Sequence, residues 1–227
     1  YDLAGNTLSF LEGRRSFARK PSSLTFESAA ALPVVGLTSL QAVRDCASLP
    51  LPVTKPGADS SGKGESTSTS RSDSSRCSAR FLVANMSGGV GHLAVQLAKA
   101  AGAQVSSSAN PPISGQYYVV IDCSPTSLAV SAVGRVLRPQ GRWAHVELPL
   151  SLLALGLWRR LALRPRKLHP AMMANREGDL EVLGRMAEEG KVRVVVESTV
   201  AFEEAREAWR RSMGGHVTGK VVVRRME

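Results

Sequence analysis

The sequence predicts an α/β protein built on a doubly wound, Rossmann-like parallel sheet. A short apolar run, Phe81 to Ala84, leads directly into a glycine-rich turn, and apolar residues then recur at helical spacing from Val90 to Ala101. Strand-like and helix-like segments alternate from there to residue 223, which is the pattern of parallel βαβ units. With 227 residues, 43% of them hydrophobic, the chain can bury one substantial core.

The glycine-rich turn follows a G-x-x-G-x-x-G pattern in which Asn85, Gly88 and Gly91 take the three glycine positions. Asparagine tolerates left-handed backbone better than other non-glycine residues, so we expect the turn to form. Such a turn brings backbone N–H groups and the positive end of a helix against a pyrophosphate, because no Cβ blocks the approach. An ordinary connection without a ligand is the alternative. The expected phosphate-binding residues are Ser87, Gly88, Gly89, Val90 and Gly91.

The remaining elements follow from apolar spacing and from Pro and Gly positions. We expect two short helices broken at Pro33 within residues 24–45, and Gly102 as a helix cap. In the helix over 202–211, residues Phe202, Ala205, Ala208 and Trp209 are expected to face inward. The other predicted elements are strands over 117–121, 142–146, 192–196 and 220–223, helices over 128–137 and 180–189, and a turn at 139–141.

Composition divides the chain into three regions. Residues 1–52 carry the lead-in helices, and residues 81–227 carry the βα alternation. Between them, 15 of the 28 residues in 53–80 are Ser, Thr or Gly and none is aromatic. Such a stretch buries too little apolar surface to offset its ordering entropy, so we expect residues 53–80 to be disordered.

Charge and cysteine content exclude several classes of protein. The net charge is +10, but the only dense basic group lies within residues 159–167 and aromatic residues make up 5%, so a nucleic-acid partner is not expected. The cysteines Cys46, Cys77 and Cys123 are far apart and odd in number, which indicates neither a zinc site nor a disulfide framework. The chain opens with Tyr1 and shows no signal-peptide pattern.

The longest apolar run is too short for a membrane span. It extends from Leu148 to Trp158 and ends at two arginines, well below the ~20 residues that a bilayer needs. Leu148 to Leu168 instead predicts a basic amphipathic helix. This helix would pack on its own domain or on a dimer partner, with contact to a membrane surface as the alternative.

Four stretches together resemble one family. They are residues 24–42 (Leu-Thr-Phe-Glu-Ser-Ala-Ala-Ala-Leu-Pro followed by Gly-Leu-Thr-Ser-Leu-Gln-Ala), 87–99, 118–123 and 215–223 (Gly-His-Val-Thr-Gly-Lys-Val-Val-Val). In this order and spacing they resemble the zinc-independent, quinone-oxidoreductase-like branch of the medium-chain dehydrogenases/reductases, including its plant chloroplast members. The likeness covers somewhat over half of the chain.

The resemblance implies hydride transfer from NADPH to a quinone or to the β-carbon of an activated alkene, with no metal. By family position, Thr38 would lie near the nicotinamide or its ribose, Ser87 to Gly91 would hold the pyrophosphate, and Ser124 would line the cofactor cleft. A helix-capping hydroxyl is the alternative for Thr38, and a plain loop residue is the alternative for Ser124. No catalytic residue is assigned. Localisation in the chloroplast or the cytoplasm is implied by the same resemblance.

The chain also departs from that family. Most of the N-terminal GroES-like domain is not matched, and residues 53–80 exceed the usual link. Only eleven residues separate Val105 from Tyr117, too few for a further strand and helix, so we expect an incomplete sheet with an exposed strand edge. No Asp, Glu or Arg lies between His92 and Ile121 to bind a ribose. The alternative function is therefore a non-catalytic remnant with a nucleotide-binding fold and a dimer or membrane-surface interface.

Overall fold

The computed structural model describes residues 18–47, 79–107, 116–124, 130–146, 168–170, 176 and 178–225. In this part of the chain the strands are β1 (Arg80–Ala84), β2 (Gln104–Ser106), β3 (Tyr117–Asp122), β4 (Leu137–His145), β5 (Leu168–Pro170), β6 (Val196–Ala201) and β7 (Lys220–Arg224). The helices are α1 (Phe26–Ala31), α2 (Pro33–Ala47), α3 (Gly89–Ala100), α4 (Val130–Val136), α5 (Asp179–Glu188) and α6 (Ala205–Met213), with a 3-10 turn at Phe202–Glu204 before α6.

The main sheet is parallel, with the strand order β2-β1-β3-β4-β5. Alternate residues of each strand face opposite sides of this sheet. Phe81 and Val119 face a core that includes residues of α2, α3 and α5. Leu82 and Val120 face a second core that includes Val133 of α4. Helices therefore cover both faces, and the predicted doubly wound fold is confirmed.

The two lead-in helices form as predicted, because their boundaries are set locally. The Thr25 hydroxyl accepts the Ser28 N–H at 3.2 Å and caps α1. Pro33 is the first residue of α2, where its missing N–H removes no helical hydrogen bond. At the end of α3, Gly102 has φ +84° and its N–H reaches the Lys99 carbonyl at 2.9 Å.

A second, two-stranded parallel sheet is formed by β6 and β7. Here the expected orientation of α6 is wrong: Ala208 is buried, but Phe202 is 64% exposed and Trp209 is 70% exposed. Helical spacing identifies residues that share a face, whereas the element that covers the face is decided by tertiary packing.

Two further strand predictions need correction. The expected turn at 139–141 lies inside β4, where the register moves from Leu137 opposite Tyr117 to Arg142 opposite Val119, so the intervening residues form a bulge. Residues 192–195 are not part of β6, which begins at Val196. Side chains of α3 bind their backbone instead, as described below.

The incomplete sheet expected from the Val105–Tyr117 spacing agrees with the strand order. Within the described residues, β2 pairs with β1 alone and lies at the edge of the sheet. Its outer residues Gln104 and Ser106 are exposed. The predicted disordered stretch 53–80 is too long at its end, because Ala79 is buried and Arg80 begins β1.

Several predictions concern residues outside the described ranges. They include the disorder of 53–78, residues 1–17, and all but the last residue of the amphipathic helix expected from Leu148 to Leu168. That helix is one residue too long, because Leu168 begins β5. In the described part of the chain no helix is both long and apolar enough to cross a bilayer.

Candidate functional site

Hydrogen bonds join β1 and β3 at the end of the main sheet where the carboxyl ends of its strands lie. The Cys123 N–H donates to the Ala84 carbonyl at 3.3 Å, and the Asn85 side-chain amide donates to the Cys123 carbonyl at 3.0 Å. Asn85 itself has φ +55°, the left-handed conformation expected for this position. The Asn85 side chain thus joins the glycine turn to the neighbouring strand.

This end of the sheet is a topological switch point. The chain leaves β1 through α3, which contributes Leu93 and Leu97 to one core, and the later helix α4 packs in the core on the opposite face. Because helices following neighbouring strands diverge to the two faces, this topology predicts a crevice at the carboxyl ends of β1 and β3. The glycine turn lies at this crevice.

The turn presents backbone N–H groups at the positive end of a long helix. Among the described residues, no acceptor bonds the N–H groups of Val90 or Gly91 in the first turn of α3, whereas the Gly89 N–H faces the Gly219 carbonyl in the parallel bridge between Gly88 and Gly219. Gly88 caps the helix with φ −71° and ψ 168°, and Ser87 is exposed. The arrangement offers hydrogen-bond donors to an anion.

The glycines are required for a different reason from the one expected. A Cβ on Gly91 would lie 2.7 Å from the Met86 Cα and overlap the Asn85 carbonyl. A Cβ on Gly89 would lie 2.8 Å from the Lys220 Cδ and 3.1 Å from a Val35 methyl. Both glycines therefore permit close packing within the protein, and neither Cβ position points into open space where a phosphate would lie.

The start of β7 is bound to the turn across 130 residues of sequence. The Gly219 N–H donates to the Ser87 carbonyl at 2.8 Å, and Gly88 forms an isolated parallel bridge with Gly219. The methylene chain of Lys220 consequently packs beside Gly89. A cationic side chain is thereby brought close to the first turn of α3.

His92, in the first turn of α3, is a neutral histidine. Its Nδ1 lies 2.9 Å from the Gly88 carbonyl, and its Nε2 accepts the Val195 N–H at 3.3 Å. Burial lowers the pKa of His92, the Gly88 carbonyl opposes this, and the positive charge of Lys220 lowers the pKa further.

Thr38 lies inside α2 and is nearly buried, with its hydroxyl donating to the Val34 carbonyl at 2.8 Å. It is therefore not a helix cap. Its neighbour Ser39 contacts the turn region instead, because the Ser39 hydroxyl lies 2.8 Å from the Val90 carbonyl and 2.6 Å from the Val35 carbonyl. A single hydroxyl proton is shared between these two acceptors.

Ser124 is half-buried just beyond β3, where its N–H donates to Asp122 Oδ1 at 3.1 Å. The other oxygen of Asp122 lies 3.6 Å from His145 Nε2, and both side chains are fully buried. The Val146 N–H also donates to the Asp122 carbonyl at 3.0 Å. Asp122 therefore holds the ends of β3 and β4 together beside the crevice.

In the structure the predicted phosphate-binding residues form the turn and the start of α3; they are Ser87, Gly88, Gly89, Val90 and Gly91. The hydrogen bonds described above join Thr38 to Val34 and Ser124 to Asp122, not to this turn. Sequence reasoning missed Ser39, His92 and Lys220. For His92 a signal existed, since a polar aromatic residue in the first turn after a glycine motif stands next to the expected phosphate site. For Lys220 only its place in the 215–223 stretch was available.

Replacing Asn85 with valine should destabilise the fold by about 2–3 kcal/mol. The left-handed backbone at φ +55° costs a β-branched residue about 1–2 kcal/mol, and the lost bond to Cys123 costs about 1 kcal/mol. Urea unfolding would measure the difference. Asn85→Gly is the control, because glycine accepts this backbone and loses only the side-chain bond. Equal stability of the two variants would contradict the backbone argument.

The fold and this turn define a class of protein: a Rossmann-like α/β domain with a glycine turn at its switch point. The profile of the zinc-binding dehydrogenase family matches residues 99–223, which is more than half of the chain. The chain therefore belongs to the zinc-binding dehydrogenase family, within the medium-chain dehydrogenases/reductases. The family resemblance expected from the sequence is confirmed.

Two plant proteins and one solved structure illustrate the relationship. The chain is 28% identical to the chloroplast envelope quinone oxidoreductase homologue of Arabidopsis thaliana and 24% identical to the chloroplastic quinone-oxidoreductase homologue of Spinacia oleracea. Each match covers 90% of this chain and 64% of the relative. The quinone oxidoreductase of Coxiella burnetii superposes with a TM-score of 0.68 at 22% identity, over 91% of this chain and 63% of that protein.

These matches span less than two thirds of the relatives' length, so they identify the family and the fold. In the described part of the chain, no group of three or more His, Cys, Asp or Glu side chains could hold a metal ion. That this chain belongs to the zinc-independent branch stays a prediction.

Proposed function

We propose that this chain binds the pyrophosphate of a nicotinamide dinucleotide, NADPH, at Ser87 to Gly91. The observation that carries this proposal is the pair of uncommitted N–H groups at Val90 and Gly91, at the positive end of α3 and at the switch point of the sheet. Lys220, packed beside Gly89, adds positive charge near the same turn.

The proposed activity is that of an oxidoreductase of the quinone oxidoreductase type. Relatives and a structural neighbour bear that name, and they supply the class of reaction. A bound nicotinamide would supply the hydride for a quinone or an activated alkene. Residues of this chain would bind and orient the cofactor: the turn at its pyrophosphate, Thr38 towards the nicotinamide, and Ser124 along the cleft.

A second candidate function is nucleotide binding without turnover. Between His92 and Ile121 the sequence has no Asp, Glu or Arg, so neither the usual acidic partner of a ribose 2′-OH nor an arginine for a 2′-phosphate is supplied there. The chain also spans 64% of the relatives' length, so about a third of each relative lies outside the match. A substrate without a second wall would be poorly positioned for hydride transfer.

Localisation and partners are proposals of the same kind. The names of the plant relatives favour the chloroplast over the cytoplasm. The small-molecule substrate follows from the proposed activity. A homodimer, and peripheral membrane contact through Leu148 to Leu168, remain proposals. The division into three regions stays a prediction in the same way, with its second boundary moved to before Ala79.

Calorimetric titration with NADPH tests the binding site. Ser87 is exposed at the turn, so Ser87→Glu should fold normally and weaken NADPH binding about tenfold or more by placing a carboxylate against the pyrophosphate. Ser212→Glu, an equally exposed serine on α6, should bind as the unmodified chain does. Equal affinity of the two variants would place the nucleotide elsewhere.

The same titrations should show poor discrimination between NADPH and NADH, within about tenfold, because no Asp, Glu or Arg lies between His92 and Ile121 to select the ribose. Turnover with NADPH and a quinone should be negligible for this chain alone, since positioning supplies up to ~7–11 kcal/mol of such catalysis. Binding without turnover favours the second candidate. Several turnovers per second would contradict it and favour the enzyme.

A further inference from the structure

His92 makes two hydrogen bonds that together specify its protonation state. The Val195 N–H donates to Nε2. Because a backbone N–H can only donate, Nε2 carries no proton. The ring proton therefore lies on Nδ1 and is donated to the Gly88 carbonyl at 2.9 Å. Neutral His92 thus connects the glycine turn to residue 195.

Gln96 makes a matching pair of contacts one helical turn later. Its side-chain Nε2 donates to the Arg193 carbonyl at 2.9 Å, and its Oε1 accepts the Arg193 N–H at 2.7 Å. From the other side, the Lys220 N–H donates to the Val195 carbonyl at 3.0 Å. Residues 193–195, which we call the clamp segment, are therefore bound by α3 and by the start of β7.

The bond from His92 also orients the Gly88 peptide. The Gly88 carbonyl accepts both the His92 N–H at 3.2 Å and the His92 ring at 2.9 Å, so it points into α3. The carbonyl is thereby kept away from the uncommitted N–H groups that follow it. An anion at the first turn of α3 would therefore not meet the Gly88 carbonyl oxygen.

The charged surroundings of His92 are cationic. Lys220 of β7 lowers the pKa of His92, after burial as the larger cause. Residues 191–195 contribute Lys191 and Arg193, both exposed. The other residues from 89 to 96 carry no ionisable side chain, and Val35 and Ser39, which α2 places against the start of α3, are uncharged. Of these cations, Lys220 opposes a positive charge on the ring, whereas Lys191 is paired with Glu189 at 2.6 Å.

We propose that neutral His92 is a positioning residue, which holds the clamp segment, and through it the start of β7, in the arrangement that binds the cofactor phosphates, and that protonation of His92 releases the clamp segment. The bond from Nδ1 to the Gly88 carbonyl is kept in both states. A protonated ring carries a donor at Nε2, which would face the Val195 N–H, so the clamp segment must move. The effect on the cofactor rests on the proposed function. The effect on the clamp segment does not.

The direction in which the pKa of His92 is shifted determines whether stability rises or falls with pH. Because burial and Lys220 hold the pKa of folded His92 below that of an unfolded histidine, about 6.5, the neutral form stabilises the fold fully above that value. This stabilisation is lost as the pH falls through the folded pKa. Cofactor affinity should fall in the same range, by up to about tenfold per pH unit.

The clamp is tested by NMR without any ligand. We expect the His92 ring to titrate below the ordinary histidine range and the Val195 amide signal to shift in the same transition. Exchange protection of the Val195 amide should also fall there. If the chemical shift and the exchange protection of the Val195 amide do not change in the pH range where His92 titrates, the proposal that His92 holds the clamp segment is wrong.

The cofactor effect is tested by titrating NADP⁺ and NAD⁺ between about pH 7.5 and pH 5.5. The chain should lose at least about fivefold affinity beyond any change that the ligand itself contributes. His92→Asn retains an amide N–H near the Nδ1 position and does not titrate, so its affinity should be intermediate and should lack the additional loss. His216→Asn, which replaces an exposed histidine elsewhere, should behave as the unmodified chain.

The outcomes separate the two proposals. If His92→Asn shows the same additional loss of dinucleotide affinity at low pH as the unmodified chain, His92 is not the positioning residue. The turn would remain the proposed cofactor site. Failure of the unmodified chain to bind either dinucleotide at any pH would overturn the proposed function. The NMR titration of the Val195 amide would still test whether His92 holds the clamp segment.

Discussion

Gly91→Val should abolish the native fold or destabilise it by more than about 4 kcal/mol, the range of the most severe single substitutions. The first side-chain carbon would overlap the Asn85 carbonyl and lie 2.7 Å from the Met86 Cα. These are backbone atoms of the same turn, so no side chain can move aside. Thermal unfolding followed by circular dichroism, together with soluble yield, measures the effect.

The control for Gly91 is a second helical glycine with open space around it. A Cβ on Gly134 of α4 meets nothing within 4 Å. Gly134→Ala should therefore stabilise the protein by about 0.5–1 kcal/mol through the reduced entropy of the unfolded chain. A Gly91→Ala variant as stable as Gly134→Ala would show that the turn relaxes, which would contradict the packing argument.

The Gly91 result also separates folding from cofactor binding. Loss of nucleotide affinity in Gly91→Val would report unfolding of the turn, because its Cβ points into the protein. Substitution of exposed Ser87 is the direct probe of the phosphate site. This distinction became available only when the surroundings of each glycine were known.

Asp179→Ala should destabilise the fold by about 1–3 kcal/mol, because it removes two charge-assisted hydrogen bonds from Arg44, whose side chain is 30% exposed and keeps its contact with Asp45. Asp179 is 4% exposed and accepts two bonds from Arg44, at 2.6 and 3.0 Å, with Gln41 Nε2 at 3.3 Å. The hydrogen bond to Asp179 is the main cause that raises the pKa of Arg44. This pair joins α2 to the start of α5.

Asp45→Ala is the matched control for the buried pair. Asp45 is 40% exposed and contacts Arg44 and Arg176 at the surface, so its loss should cost no more than about 1 kcal/mol. The double variant Arg44→Met, Asp179→Leu should recover most of the stability lost in Asp179→Ala, since apolar residues of similar size can replace a buried ion pair. Equal effects of Asp45→Ala and Asp179→Ala would show that burial does not distinguish the two contacts.

Much of the fold was predictable, because its elements are specified by residues close in sequence. The run before Asn85 forms β1, the Pro33 break separates α1 from α2, and Gly102 caps α3 as expected. The composition of the 139–141 segment suggested a turn, yet a bulge in β4 accommodates it, because pairing with β3 continues on both sides.

The sequence by itself determined two parts of the candidate site, the turn and the helix that follows it. A left-handed Asn85, a glycine cap and an apolar helix face are local properties. Tertiary structure alone decided which groups surround the turn. Gly219 and Lys220 reach it from β7, His92 and Gln96 bind the clamp segment, and Trp209 lies on an exposed face. Contacts between residues that lie some 100 to 130 positions apart depend on how the elements pack, and no local spacing encodes them.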